Sequence, residues 1–106
     1  MPYVIARVQL RYGSEQLGPF AELLTEGLIP ALGASGVRFR GALQTQIGSL
    51  YEVHDIWEVE DAEHFGRARA RVRELPEYHP ILARAAELIE SETLTYTDTL
   101  PGTPPL

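Results

Sequence analysis

The residues best suited to chemistry lie on one alternating stretch, 50–59 (LYEVHDIWEV). Side chains along a strand point to opposite faces with a period of two. Tyr51, Val53, Asp55, Trp57 and Val59 therefore share one face, and His54 and Ile56 point the other way. If the odd-numbered set faces the protein's helices, Asp55 is a lone carboxylate in mostly apolar surroundings. Loss of water there raises a carboxyl's pKa toward the range useful to a general base. The competing reading is a structural ion pair between Asp55 and an arginine such as Arg40. Tyr51 and Trp57 either line a flat hydrophobic substrate or fill core.

The remaining candidates are histidines on separate elements. His54 falls on the opposite strand face, as an ordinary hydrogen-bonded histidine or a catalytic one. His64 sits among charged neighbours early in a helix and is expected at the surface. His79, in Glu77-Tyr78-His79-Pro80, stands at a helix break, where it could shuttle protons or ligate haem. Tyr78 beside it joins the substrate-contacting candidates. No His-x-x-x-His pair or facial triad occurs, so no metal site is expected. Haem stays open, because one histidine suffices.

Absences narrow the chemistry further. The chain has no cysteine, which removes thiol nucleophiles, thiolate zinc sites, iron–sulfur ligation and disulfides. It has no lysine either, which removes Schiff-base chemistry and the usual attachment of pyridoxal phosphate. No phosphate-binding loop, Gly-x-Gly-x-x-Gly pattern or nucleophile elbow is present. The formal net charge of −6 argues against a nucleic-acid footprint. Arg67, Arg69, Arg71 and Arg73, spaced by two on a helix, fan around it and are expected to be solvated or paired with Glu63 and Glu74. No run is long and apolar enough for a membrane span. No signal peptide is visible, which favours the cytoplasm, and nine arginines without lysine suit the codons of a GC-rich bacterial genome.

The elements that must position these residues follow from periodicity. Residues 3–12 alternate, with Val4, Ala6, Val8 and Leu10 on one side, and read as a strand. Ser14 is the expected N-cap of a helix from Glu15 to about Leu32, in which Pro30 should kink or end the last turn. Residues 37–47 and 50–59 read as two strands joined by a tight hairpin at Gly48-Ser49. Glu60-Asp61 opens a second helix carrying Phe65, Ala68, Val72 and Leu75. Pro76 breaks it, and Pro80 starts a further piece with Ile81, Leu82, Ala85, Leu88 and Ile89. A last strand spans Glu92–Thr99. Residues 1–99 thus form one α+β domain in βαββαβ order, a ferredoxin-like four-stranded antiparallel sheet with both helical segments on one face. Residues 100–106 (PGTPPL with its preceding leucine) read as a flexible tail. The other sheet face, with Ile5, Ile56 and Phe39 as candidates for exposure, calls for a second copy to close two sheets into a dimeric α+β barrel.

Around the hairpin the chain resembles a known family. Arg40-Gly41-Ala42-Leu43-Gln44-Thr45-Gln46-Ile47-Gly48-Ser49-Leu50 is similar to the NIPSNAP pattern of Gly, aromatics, Thr-Glu and Ile-Gly-Pro-Leu. Val53 to Glu58 resembles that family's Val-Val-His-Leu-Trp strand. The Arg/Ala helix ending in Leu75-Pro76-Glu77-Tyr78 resembles its arginine-rich helix ending in Asp-Pro-Glu-Trp. There are departures: Gln44-Thr45-Gln46 lacks the family's carboxylate, Ala42-Leu43 replaces an aromatic pair, and Asp55 stands in place of a histidine. The resemblance implies membership of the dimeric α+β barrels, a superfamily that also holds antibiotic-biosynthesis monooxygenases, muconolactone isomerases and haem-degrading monooxygenases. It implies a pocket between helices and sheet, with Asp55, Tyr51, Trp57 and Arg40 in reach of it. The expected activity is that of a small cofactor-independent oxygenase, cyclase or isomerase acting on a hydrophobic, polyketide-like or aromatic metabolite. A non-catalytic ligand-binding or scaffold homodimer and a haem-binding or haem-degrading protein are the alternatives.

Overall fold

A computed structural model describes residues 1–106. The chain runs through β1 (Pro2–Leu10), α1 (Leu17–Glu22), a π-helical turn (Leu23–Leu28), α2 (Ile29–Gly33), β2 (Arg38–Gln44) and β3 (Glu52–Glu58). It continues through α3 (His64–Glu74), α4 (His79–Leu88) and β4 (Ile89–Asp98), with short 3-10 turns at Ser14–Gln16 and Pro76–Tyr78. The four strands are ordered β2-β3-β1-β4, and every neighbouring pair is antiparallel. This is the α+β, ferredoxin-like sheet that the alternation and helix spacing predict, except that β4 begins at Ile89, a residue the spacing places on the preceding helix, rather than at Glu92.

Alternation decides which face is dry. Val4, Ala6, Val8 and Leu10 of β1 and Val53, Asp55 and Trp57 of β3 are all buried on the helix side. Trp57 anchors that layer. Its ring meets Phe39 edge-on at 5.1 Å and Phe65 of α3 at 6.1 Å. Burying a ring of this size removes roughly 150–250 Å² from water, worth ~4–6 kcal/mol at about 25 cal/mol/Å².

Three local expectations need correction. Ser14 is not an N-cap; Gly13 holds that position with φ 134°, and no side chain caps the turn. The first helix is neither ended nor cut short by Pro30. The Ile29 N–H bonds back five residues to the Leu24 carbonyl, a π turn, and Pro30 then falls in the first turn of α2. There its missing N–H is not needed. The β2–β3 connection is also wider than a tight hairpin. The ladder closes at Thr45 N–H to Glu52 O (3.0 Å), and Tyr51 lies in the turn at φ 57° rather than on the strand. β2 itself carries a bulge: Phe39 pairs with Trp57 and Gly41 with Ile56, leaving Arg40 extra.

On the outer face, Ile5 sits directly opposite Ile56, and Arg7 opposite His54. Leu43 is 61% exposed there, while Phe39 packs inward on Trp57. After β4, Thr99 is half-buried with its Oγ1 unpaired, and residues 100–106 are exposed. The last residue returns to β2, where Arg40 Nη2 donates to the Leu106 oxygen (3.3 Å). No helix is long and apolar enough to cross a membrane.

Candidate functional site

A cavity of about 310 Å³ opens between the helices and the sheet. Ala6, Asp55 and Trp57 form its floor, and Leu28, Leu32, Phe65, Val72, Leu82, Ala85 and Ile89 its walls. Arg69 and Arg73 of α3 and Glu92 of β4 supply its charges. The floor is low because of Ala6, which lies between Asp55 on one neighbouring strand and Leu94 on the other. A larger residue at position 6 would fill the space that the methyl leaves.

Asp55 is the one carboxylate on that floor, and it is only 3% exposed. Its Oδ1 is buried without a hydrogen-bond partner. Burial pushes its pKa up to about 7, and the negative charge of Glu92 adds to the rise. A buried polar atom left unpaired costs stability, and strongly shifted groups of this kind cluster at functional sites.

The alternative pairing of Asp55 with Arg40 does not occur. The bulge turns Arg40 to the outer face, where its Nη1 lies 3.5 Å from Glu58 Oε1, and Arg38 Nη1 lies 3.8 Å from Glu58 Oε2. Arg40 is therefore not in reach of the cavity. Tyr51 is also elsewhere: it sits in the β2–β3 turn with its ring edge-on to Tyr12 at 5.4 Å. Tyr78 packs half-buried against the core from the 3-10 turn, outside the cavity lining. His79 is exposed at the start of α4 and likewise does not line the cavity. His54 is on the outer face, with Nε2 3.0 Å from Glu52 Oε1. Of the sequence candidates, Asp55 and Trp57 alone share the site.

His64 reverses its expected placement. It is 4% exposed, with Nδ1 accepting from the Glu60 N–H (2.9 Å) and Nε2 donating to the Ser35 carbonyl (2.7 Å). Both ring nitrogens are satisfied by backbone, so the imidazole can be buried without cost to its polar atoms. It fastens the start of α3 to the loop before β2.

The site residues that the sequence reading missed are Arg69, Arg73 and Glu92. Arg69 Nη1 lies 3.3 Å from Glu92 Oε1, and its guanidinium is 5.9 Å from the Phe65 ring centroid. Arg67, Arg71 and Arg73 are exposed, as expected of solvated arginines; none of the four pairs with Glu63 or Glu74, and Arg67 pairs with Asp61 (3.4 Å). A usable signal was present: positions 69 and 73 are four apart, one helical turn, and so share a face. Glu92 carried no such signal, because its partner lies across the gap between α3 and β4.

The cavity lining contains no histidine, cysteine, methionine or tyrosine. A haem seated there would find no axial ligand of the usual kinds, so the residues do not fit that group. No cluster of three or more His, Cys, Asp or Glu could hold a metal ion.

A four-stranded antiparallel sheet in the order β2-β3-β1-β4, with helices on one face over an apolar cavity, defines the chain as a ferredoxin-like α+β protein with an internal small-molecule-sized site. Residues 5–101 match the NIPSNAP family model, and the chain belongs to that family. A NIPSNAP family protein of unknown function from Agrobacterium tumefaciens superposes with a TM-score of 0.82 at 20% identity, covering 100% of this chain and 94% of its own. A NIPSNAP-like domain protein from Burkholderia xenovorans gives 0.78 at 25% identity, over 99% and 90%. A second NIPSNAP domain protein from that organism gives 0.80 at 17% identity, over 98% and 99%. No curated protein matches the chain.

Proposed function

We propose that the protein is a small cofactor-independent enzyme that moves a proton on a hydrophobic small molecule held in this cavity, with Asp55 as the base. Oxygenase, cyclase and isomerase chemistry of this kind all begin when a carbon acid loses a proton. The observation that carries the reading is the partnerless Asp55 carboxylate in an apolar cavity, with its pKa lifted to about 7. A base with that pKa is substantially ionised near neutrality and yet binds the proton well. A scaffold would gain nothing from leaving this group unpaired.

The test uses 5-nitrobenzisoxazole, a carbon acid whose breakdown responds to desolvated carboxylates. Asp55 would take the ring C–H proton as that electron pair forms the nitrile and the N–O bond breaks to a coloured phenolate. The proton then passes from Asp55 to solvent. The expected result is a saturable rate that rises with pH through about 7 and falls ~100-fold or more in Asp55→Asn. A rate no better than buffer, or one unchanged in Asp55→Asn, refutes Asp55 as a base.

We further propose that the outer sheet face is covered by a second copy of the chain. What supports this is the directly opposed Ile5–Ile56 pair, with exposed Leu43 on the same face. Light scattering should give the mass of a dimer for the wild type and of a monomer for Ile56→Glu, with the far-UV spectrum retained. A monomeric wild type ends this reading.

A further inference from the structure

We infer that the ligand of this cavity is an apolar molecule bearing a single carboxylate, received by Arg73; the inference rests on the cavity being the binding site.

The argument is one of charge and of which charges are already matched. Arg69 is matched twice, by Glu92 Oε1 at 3.3 Å and by the Phe65 face at 5.9 Å. Arg73 lies one helical turn further along α3, on the same side of the helix, and also lines the cavity. No acidic side chain pairs with it, although the chain holds fifteen acidic residues against nine arginines. In so acidic a protein a free guanidinium beside an apolar recess is an unmatched donor set. Its planar fork suits a carboxylate through two parallel hydrogen bonds.

A position in the last turn of α3 favours a cation in its own right, through the helix dipole. That reason applies equally to Arg71, which also has no acidic partner but stays outside the cavity lining. The dipole therefore does not account for Arg73 facing the recess.

Arg73 also borders a second recess of about 290 Å³, lined by Val4, Phe65, Leu94 and Tyr96. It stands between two apolar surfaces and offers the one free positive charge common to both. An apolar body can lie over Trp57 and Ala6 near Asp55 while its carboxylate reaches Arg73 at the mouth.

The probes are 1-naphthoate and its neutral, planar counterpart 1-naphthamide, titrated by fluorescence or calorimetry against wild type, Arg73→Gln and Arg71→Gln. The expected result is naphthoate binding about tenfold or more tighter than naphthamide, consistent with a charge-assisted pair. That preference should vanish in Arg73→Gln and persist in Arg71→Gln. Equal affinity for both probes in wild type overturns the carboxylate inference and leaves the apolar cavity standing. A preference that survives Arg73→Gln overturns the assignment to that residue. Failure of both probes to bind overturns the cavity reading itself.

Discussion

Two acidic residues three positions apart on β3 are buried to nearly the same degree and treated in opposite ways. Glu58, on the outer face, has a side chain 9% exposed and two arginines within 3.8 Å. Asp55, on the inner face, is 3% exposed and its Oδ1 has no partner. Next to it, outer-face His54 has Glu52 at 3.0 Å. The outer face of the sheet satisfies its polar groups by ordinary pairing, whereas the inner face leaves one unsatisfied beside an open cavity. Burial by itself thus says little about role, and the presence or absence of a partner separates structure from function.

The largest consequence of this contrast is in pH dependence. The folded-state pKa of Asp55 lies near 7 against an ordinary 3.8. The folded protein therefore holds a proton that the unfolded chain has already released. Stability from this group is full below about pH 4 and is lost as pH rises through about 7. The shift corresponds to a loss on the order of 4 kcal/mol across that window. Denaturant melts of wild type and Asp55→Asn between pH 4 and 8 should diverge by up to that amount, with the Asn variant the more stable at pH 8. Parallel curves would mean that Asp55 finds a partner in solution and the contrast between the faces is false.

The smaller effect belongs to Glu58. Its arginine partners are 75% and 38% exposed, so solvent screens both pairs. Glu58→Gln should cost about 1 kcal/mol or less and leave the benzisoxazole rate unchanged. A change in that rate would show that the two faces are coupled through β3.

Much of this was readable from residue types alone. The period-two pattern grouped Asp55 with Tyr51 and Trp57 on one face of β3 and His54 with Ile56 on the other, but alternation alone left open which of the two faces the helices cover. What escaped was tertiary. The bulge that turns Arg40 outward adds one residue between Phe39 and Gly41; Gly41, at φ 147°, is its local mark, which the strand pattern passed over. His64 looked like a surface residue because its partners, a Glu60 N–H and a Ser35 carbonyl, are backbone groups that no side-chain pattern records. Tyr51 looked like strand because the alternation runs on into the turn. The Arg69–Glu92 pair joins residues twenty-three positions apart, so neither residue announces the other.

The π turn of the first helix has a consequence for how this chain can change length. A π turn is an α-helix with one residue inserted, and the residues on either side keep the orientation they would have in the shorter, regular helix. Removing one residue between Leu23 and Leu28 would thus leave Ala31 and Leu32 facing the core. It would, however, place Pro30 within a continuous α-helix, where its ring meets a carbonyl one turn back. The extra residue and the proline license each other: a deletion here is tolerable to a lineage that has first given up the proline, and the proline is tolerable to one that has first gained the residue.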